Sequence, residues 1–516
     1  MRWLDHMQAK IAKTTGLCQY HGGSDGEIRP HRTTRLDSNL VAGLRENCFS
    51  ALVQCFSKRH NTAKSTFLRG IYKGQRSMSN VFPRNSKMPP RKVSRGEGAY
   101  LYDTKGKAYL NCGDAAVSCL GHGDLHVENA IKSQLEQIAF AHTGFFTSDP
   151  AEDLAAKLTE LAPGDLNRVY FVSGGSEAME AALKLARQYF LEIGQPDRHK
   201  IIARRQSYHG NTLGALATGG NAWRRAQFSP ILIDVSHVSP CYAYRGQTES
   251  ESDVAYVDRL IAELETEIQS LGPDTVMAFV AEPVVGATLG AVPPLDGYFA
   301  KARALCDRYG ILLILDEVMC GMGRTGTLFA CEQHSVSPDI CAIAKGLGGG
   351  YQPIGATLCT EQIHDAIKQG SGFFQHGHTY VGHPLACAAG LAVLERLVDD
   401  AILNHVAPAG QTLKNALNNH FAEHPHVGDI RGVGLFQGIE LVANRTTKEP
   451  WPASHKLHAK IKSAAFDLGL ICYPMGGTVD GQSGDHILLA PPFIITDNQI
   501  DELAEKLSRA IDQAIG

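Results

Sequence analysis

The sequence predicts an α/β fold in which a large domain with a mainly parallel sheet flanked by helices is joined to a smaller α+β domain. Three observations predict it. Short apolar runs at residues 311–315 and 340–344 have the length and unbroken hydrophobicity of strands buried on both faces. The helix SEAMEAALKLARQYF separates the strands RVYFVSG and HKIIARR, as a parallel βαβ unit requires. Beyond about residue 399 the order changes to a helix, the strand GLFQGIELV, the helix KLHAKIKSAAFDLG, the strand HILLAPPFII and a last helix.

At 516 residues the chain can bury a large core and hold two or three structural units. A net charge of -4 and a pI near 6.6 argue against nucleic acid or an anionic membrane as a general partner. No apolar run reaches the roughly eighteen residues of a membrane span. The thirteen cysteines are scattered, odd in number and free of C-x-x-C spacing, which fits reduced thiols in a cytoplasmic or organellar enzyme.

Residues 1–95 read as a basic, disordered amino-terminal extension. Between Glu46 and Glu97 no acid occurs, while Lys58, Arg59, Lys64 and Arg69 begin a basic, serine-containing run. A mitochondrial targeting segment has that composition, but Asp5, Asp25, Glu27, Asp37 and Glu46 precede it, and both readings stay open beside a cytoplasmic location.

From Gly96 the pattern GEGAYLYDTKGKAYLNC alternates around the turn 103–106 and reads as a β-hairpin. A loop rich in glycine and histidine then enters a helix. Near Pro150 the helix DLAAKLTELA begins, followed by the strand RVYFVSG. Ser173, Gly174, Gly175 and Ser176 open a further helix, with Ala178, Ala182, Leu185 and Ala186 on one face. Glycines admit close backbone approach, and free amides with the positive end of the helix dipole favour phosphate there. A serine cap on a buried helix is the alternative.

The strand HKIIARR leads to Tyr208 and His209, and an aromatic at a strand end can lie flat against a ring. Residues 222–260 read as irregular and hold Trp223, Tyr242, Tyr244 and Arg245. TVMAFVAEP is a buried strand ending at Glu282, and the run 311–315 delivers Asp316 to the edge where open α/β sheets bind ligands. Lys345 follows the run 340–344 and precedes Gly346, Gly348, Gly349 and Gly350. Burial of that amine disfavours the ammonium and frees a nucleophile for Schiff-base chemistry.

GMGRTG matches the dinucleotide pattern, but Asp316 and Glu317 just before the glycines would face a pyrophosphate. His376, His378 and His383 lack a carboxylate or cysteine at ligand spacing, so no metal is expected. In the last helix Ile500, Leu503, Leu507 and Ile511 form one apolar stripe.

LDEV, GMGRTG, FA, PDI and AKGLGGG resemble the signature of class III aminotransferases, with related motifs over residues 96 to 512. The resemblance implies the pyridoxal-phosphate-dependent transferase fold type I, with residues 96–149 joining the small domain, 150–398 forming the large cofactor-binding domain and 399–516 the small one. It implies a ping-pong Schiff-base transfer of an amino group from an ω-amino acid or amine to pyruvate or 2-oxoglutarate. An aminomutase or decarboxylating aminotransferase on the same fold is the alternative.

By the same resemblance Lys345 holds the cofactor and shuttles the proton, and Asp316 is the counter-ion of the ring nitrogen. Gly175 and Ser176 hold the phosphate, Tyr208 stacks on the ring with His209 beside it, Glu282 orients them and Val318 presses on the ring. Thr379 serves the phosphate of the other subunit, which makes the site the property of a homodimer. Residues near Val117, Ser118 and Cys119 approach the substrate, or are small packing residues of a loop. Tyr473 and Leu488 stand where family members place a carboxylate-clamping arginine, which puts that clamp in doubt. Arg431 is a candidate in its place, or a structural arginine in a turn.

Overall fold

Apolar runs that cannot bury two faces alone assemble into sheets, and among the described residues they form three. The computed structural model describes residues 80–87 and 90–516, so most of the extension expected over 1–95 lies outside the described residues. Residues Arg91–Gly516 form one compact unit. Strands β1 (Val93–Glu97), β2 (Tyr100–Asp103) and β3 (Ala108–Asn111) pair antiparallel. The expected turn between β2 and β3 is closed by the Asp103 side chain, which accepts the Lys105 and Lys107 amides at 2.8 and 3.1 Å.

The central sheet contains β4 (Leu166–Val172), β5 (Lys200–Arg204), β6 (Ser236–Val238), β7 (Val276–Ala281), β8 (Leu312–Asp316), β9 (Ile340–Ala344) and β10 (Gly355–Thr360). Their order is β4-β10-β9-β8-β7-β5-β6, and only β10 runs against its neighbours. Every residue of β7, β8 and β9 is buried. Such continuous burial explains why these strands carry no polar alternation in sequence.

β11 (Val427–Val433), β12 (Phe436–Leu441), β14 (Tyr473–Gly476) and β15 (Asp485–Leu489) make a third sheet, in the order β11-β12-β15-β14. β13 (Leu470–Ile471) instead joins the first sheet, parallel to β3. The helix Asp497–Ile515 starts at a capping box between Thr496 and Gln499 and buries Ile500, Leu503, Leu507 and Ile511 completely.

The stretch 222–260 is more ordered than its composition suggests. Ser236–Val238 is the edge strand beside β5, and Ser252 caps the helix Asp253–Leu271, which buries Tyr256, Val257, Leu260, Leu264 and Ile268. Three residues are too few to show strand alternation, and the helix carries half its stripe beyond residue 260.

Replacing Leu507 by alanine should cost about 2–5 kcal/mol, because its fully buried site cannot collapse around the smaller side chain. A lowered midpoint of thermal unfolding is expected; an unchanged midpoint would contradict this account of the core.

Candidate active site

Strands that run in one sense bring their carboxyl ends to one edge of the sheet. β4 runs into residues 173–176, β5 leads to Tyr208 and His209, β7 to Glu282, β8 ends on Asp316 and β9 delivers Lys345. Gly175, Ser176, Tyr208, His209, Glu282, Asp316, Val318 and Lys345 line a single cavity of about 500 Å³. Thr379 does not line it and lies exposed.

Lys345 has φ +47°, in the left-handed region that a side chain adopts at a cost of about 1–3 kcal/mol. Its carbonyl accepts the amides of Gly348 and Gly349 at 3.1 and 3.0 Å, which holds the turn. At Gly346 a Cβ would lie 2.9 Å from the Cβ of Met322, so this glycine permits close packing of the GMGRTG loop. Burial lowers the Lys345 pKa from its ordinary 10.5, while the nearby charges of Asp316 and Glu282 oppose that shift.

Asp316 is buried and held on both oxygens. His209 Nδ1 lies 2.8 Å from Oδ2, and the Val318 amide donates to Oδ1 at 3.0 Å. The next carboxylate, Glu317, accepts the amides of Ala330 and Cys331 at 2.6 and 2.8 Å and takes no part in the cavity. Glu282 accepts the Tyr208 amide at 3.1 Å and the Gly286 amide at 2.8 Å, and burial raises its pKa. It therefore fixes the loop that carries Tyr208 and His209.

The helix Gly175–Glu192 points its amino terminus at the cavity, and its first-turn amides have no intrahelical acceptors. A Cβ at Gly175 would meet Val318 Cγ1 at 2.5 Å, so glycine lets the loop after β8 close on the helix start. Ser176 Oγ accepts the Asn211 amide at 3.0 Å, and the Thr212 hydroxyl donates to the Ser176 carbonyl at 3.1 Å. Asn211 Nδ2 also donates to the Tyr208 hydroxyl at 3.2 Å. These two polar residues were not singled out in the sequence, although they directly follow the Tyr-His-Gly segment that was.

An amine of lowered pKa, an amide-rich helix start, a buried carboxylate backed by histidine and an aromatic ring fit pyridoxal phosphate, which bears an aldehyde, an anion and a protonatable ring nitrogen. Residues 81–511 match the model of the aminotransferase class-III family. The chain belongs to that family. This class III aminotransferase is 45% identical over 428 residues to an uncharacterised aminotransferase of Schizosaccharomyces pombe, covering 83% of the chain and 93% of the relative. It is 35% identical to gamma aminobutyrate transaminase 3 of Solanum lycopersicum, covering 87% of the chain and 86% of the relative.

Among solved structures, the (S)-enantioselective omega-transaminase of Thermomicrobium roseum superposes with a TM-score of 0.79 at 38% identity, covering 85% of this chain and 97% of that one. The omega transaminase of Pseudomonas jessenii in complex with PMP gives 0.78 at 33% identity, covering 84% and 96%. The enzyme is thus a pyridoxal-phosphate-dependent transaminase of fold type I.

The remaining candidates separate. Val117 lines the cavity, whereas the Ser118 hydroxyl donates to Asp114 at 2.8 Å and Cys119 is buried against the Gly346 carbonyl. Arg431 is engaged by Asp429 and Glu440, each at 2.8 Å, and by the Gly290 carbonyl at 2.9 Å; it borders a different cavity, beside Tyr242. That geometry is a structural arginine's. Tyr473 and Leu488 are direct cross-strand partners on β14 and β15. Leu488 is fully buried in an apolar cluster with Ala116, Met319 and Phe436, against which Tyr473 packs.

In the apoprotein, Lys345 should reach half its limiting reactivity toward an aldehyde at a pH below the 10.5 of an ordinary lysine, since burial favours the neutral amine. Measuring modification of this residue against pH checks it, and a midpoint at or above that value would contradict the electrostatics described here.

Proposed function

We propose that this transaminase takes its amino group from a simple amine or an ω-amino acid and passes it to pyruvate or 2-oxoglutarate. The observation that carries the reading is that Leu488 and Tyr473, where a carboxylate-clamping arginine would stand, pack into an apolar cluster with Met319, which alone of the three lines the cavity wall. A donor carboxylate pressed against that wall would lose its hydration with no cation to replace it, a cost of several kcal/mol. Lys345 is the sole lysine or arginine among the lining residues, and Glu282 and Asp316 add carboxylates. Such a lining suits a donor whose reacting amine is remote from any carboxylate, or which has none.

In this reading Asp316, backed by His209, would face the ring nitrogen of pyridoxal phosphate, and Tyr208 and Val318 would take the ring's faces. The start of the helix Gly175–Glu192, with Ser176, would hold the phosphate. Bound there, the cofactor supplies the electron sink that a carbanion at the amino carbon requires. Lys345 supplies the amine that engages the cofactor at rest, and its neutral Nζ then accepts and returns the substrate proton. Glu282 keeps the Tyr208 loop in place through its two amide contacts and carries no proton in the reaction. The reading keeps residues 96–149 with 399–516 as a small domain and 150–398 as the large one, which agrees with the pairing of β13 to β3. Free, buried cysteines throughout the described residues support a reducing compartment, the cytoplasm or the mitochondrial interior.

The functional unit in this reading is a homodimer. Phe145, Phe146, Phe373 and Tyr380 are 83%, 67%, 63% and 59% exposed, and Phe140 meets Tyr380 edge-on at 5.7 Å, so exposed aromatic side chains are available for a second copy to cover. Thr379 lies in the same exposed segment and would reach the phosphate held by the other subunit.

A donor panel tests the substrate class. Primary amines and ω-amino acids should turn over with pyruvate or 2-oxoglutarate at least about tenfold more efficiently than α-amino acids, a difference of about 1.4 kcal/mol. Preference for α-amino acid donors would contradict it. Thr379→Ala should weaken pyridoxal phosphate binding about 10- to 150-fold while leaving the dimer intact in sedimentation, the loss of one hydrogen bond to a charged group; unchanged binding would remove Thr379 from the site.

A further inference from the structure

One arginine beside the cavity has no role in the reading above. Arg224 sits in the short helix Ala222–Arg225, and its guanidinium carbon lies 4.6 Å from the centroid of the Tyr208 ring. Tyr208 lines the cavity and Arg224 does not, so the guanidinium lies over the ring without entering the lining. Its Nε is buried without a hydrogen-bond acceptor, the arrangement expected where an aromatic face replaces one.

The chain holds this contact from several directions. Asn221 Oδ1 accepts the Arg224 amide at 3.1 Å and so caps the short helix, while Asn221 Nδ2 donates to Gln206 Oε1 at 2.8 Å. Gln206, at φ +60°, donates onward to the Gly477 carbonyl at 2.9 Å. A Cβ on Gly481, whose φ is +88°, would lie 3.2 Å from the Trp223 amide nitrogen, so the 477–484 loop packs directly on the helix. A segment of solvent-exposed composition is thereby fixed to the sheet edge and to the loop between β14 and β15.

We propose that Arg224 is a positioning residue for the cofactor, backing Tyr208 so that the ring is held at the cavity wall and carries a cation on its outer face. The inference rests on the assignment of this cavity to pyridoxal phosphate. A tyrosine supported on one side by a planar cation loses less freedom when a ring stacks on the other, so affinity for the cofactor rises. The cation also draws electron density from the tyrosine and adds positive potential to a site otherwise lined by Glu282 and Asp316, which favours a phosphorylated ligand.

The test is the dissociation constant for pyridoxal phosphate, measured on the full-length apoprotein by equilibrium dialysis. Arg224→Met keeps the length of the side chain and removes its charge, and should weaken binding about 3- to 30-fold. Arg224→Lys keeps a cation over the ring and should recover most of the loss. In a Tyr208→Leu background, Arg224→Met should change binding by less than about twofold, because the contact it removes is already gone. Wild-type affinity in Arg224→Met, or an equal loss in both backgrounds, would overturn the proposal while leaving the cofactor assignment intact. Failure of the wild-type apoprotein to take up pyridoxal phosphate would overturn both.

Discussion

Parallel pairing is the constraint on which the rest of this molecule depends. β5, β7, β8 and β9 share one direction, so each connection must cross a face of the sheet before the next strand begins. Each of these four strands then releases its chain at the same edge. Residues distant in sequence, from Gly175 to Lys345, meet there because backbone hydrogen bonding leaves the strands no other arrangement. The full burial of β7, β8 and β9 holds the edge rigid, and rigidity is what lets a residue such as Lys345 keep a left-handed backbone.

The alternation of strand geometry also separates two adjacent carboxylates. Asp316 turns into the cavity and binds His209, whereas Glu317 is spent on the amides of Ala330 and Cys331 and burial pushes its pKa up to about 7. One acid of the pair serves the site and the other anchors the loop that follows. The same division applies to the arginines. Arg431 is consumed by carboxylates and carbonyls, and the guanidinium of Arg224 lies over the Tyr208 ring.

Much of this was legible in the sequence because buried strands announce themselves by length and hydrophobicity. The runs ending at Glu282, Asp316 and Lys345 lie where those runs predicted, and the stripe of the last helix is buried as its spacing required. Other features could not be read. Ser236–Val238 is too short to alternate, and its place beside β5 follows from hydrogen bonding across sequence-distant chains. The pairing of Tyr473 with Leu488 depends on strand register, which composition does not reveal. Asn211 and Thr212 support the site through one amide and one hydroxyl, contacts that leave no periodic trace. Arg224 stands in a stretch whose composition reads as irregular, where an arginine ordinarily means surface. Thr379 lies outside the cavity, so within a single chain only the family resemblance points to it.

The central claim is that Lys345 is the amine that engages the cofactor. Borohydride reduction of the holoenzyme followed by peptide mapping tests it most directly, since reduction makes the linkage permanent. A pyridoxyl label confined to the peptide containing Lys345 is the predicted result. A label on another lysine, or its absence from an enzyme that still turns over amines, would contradict the account.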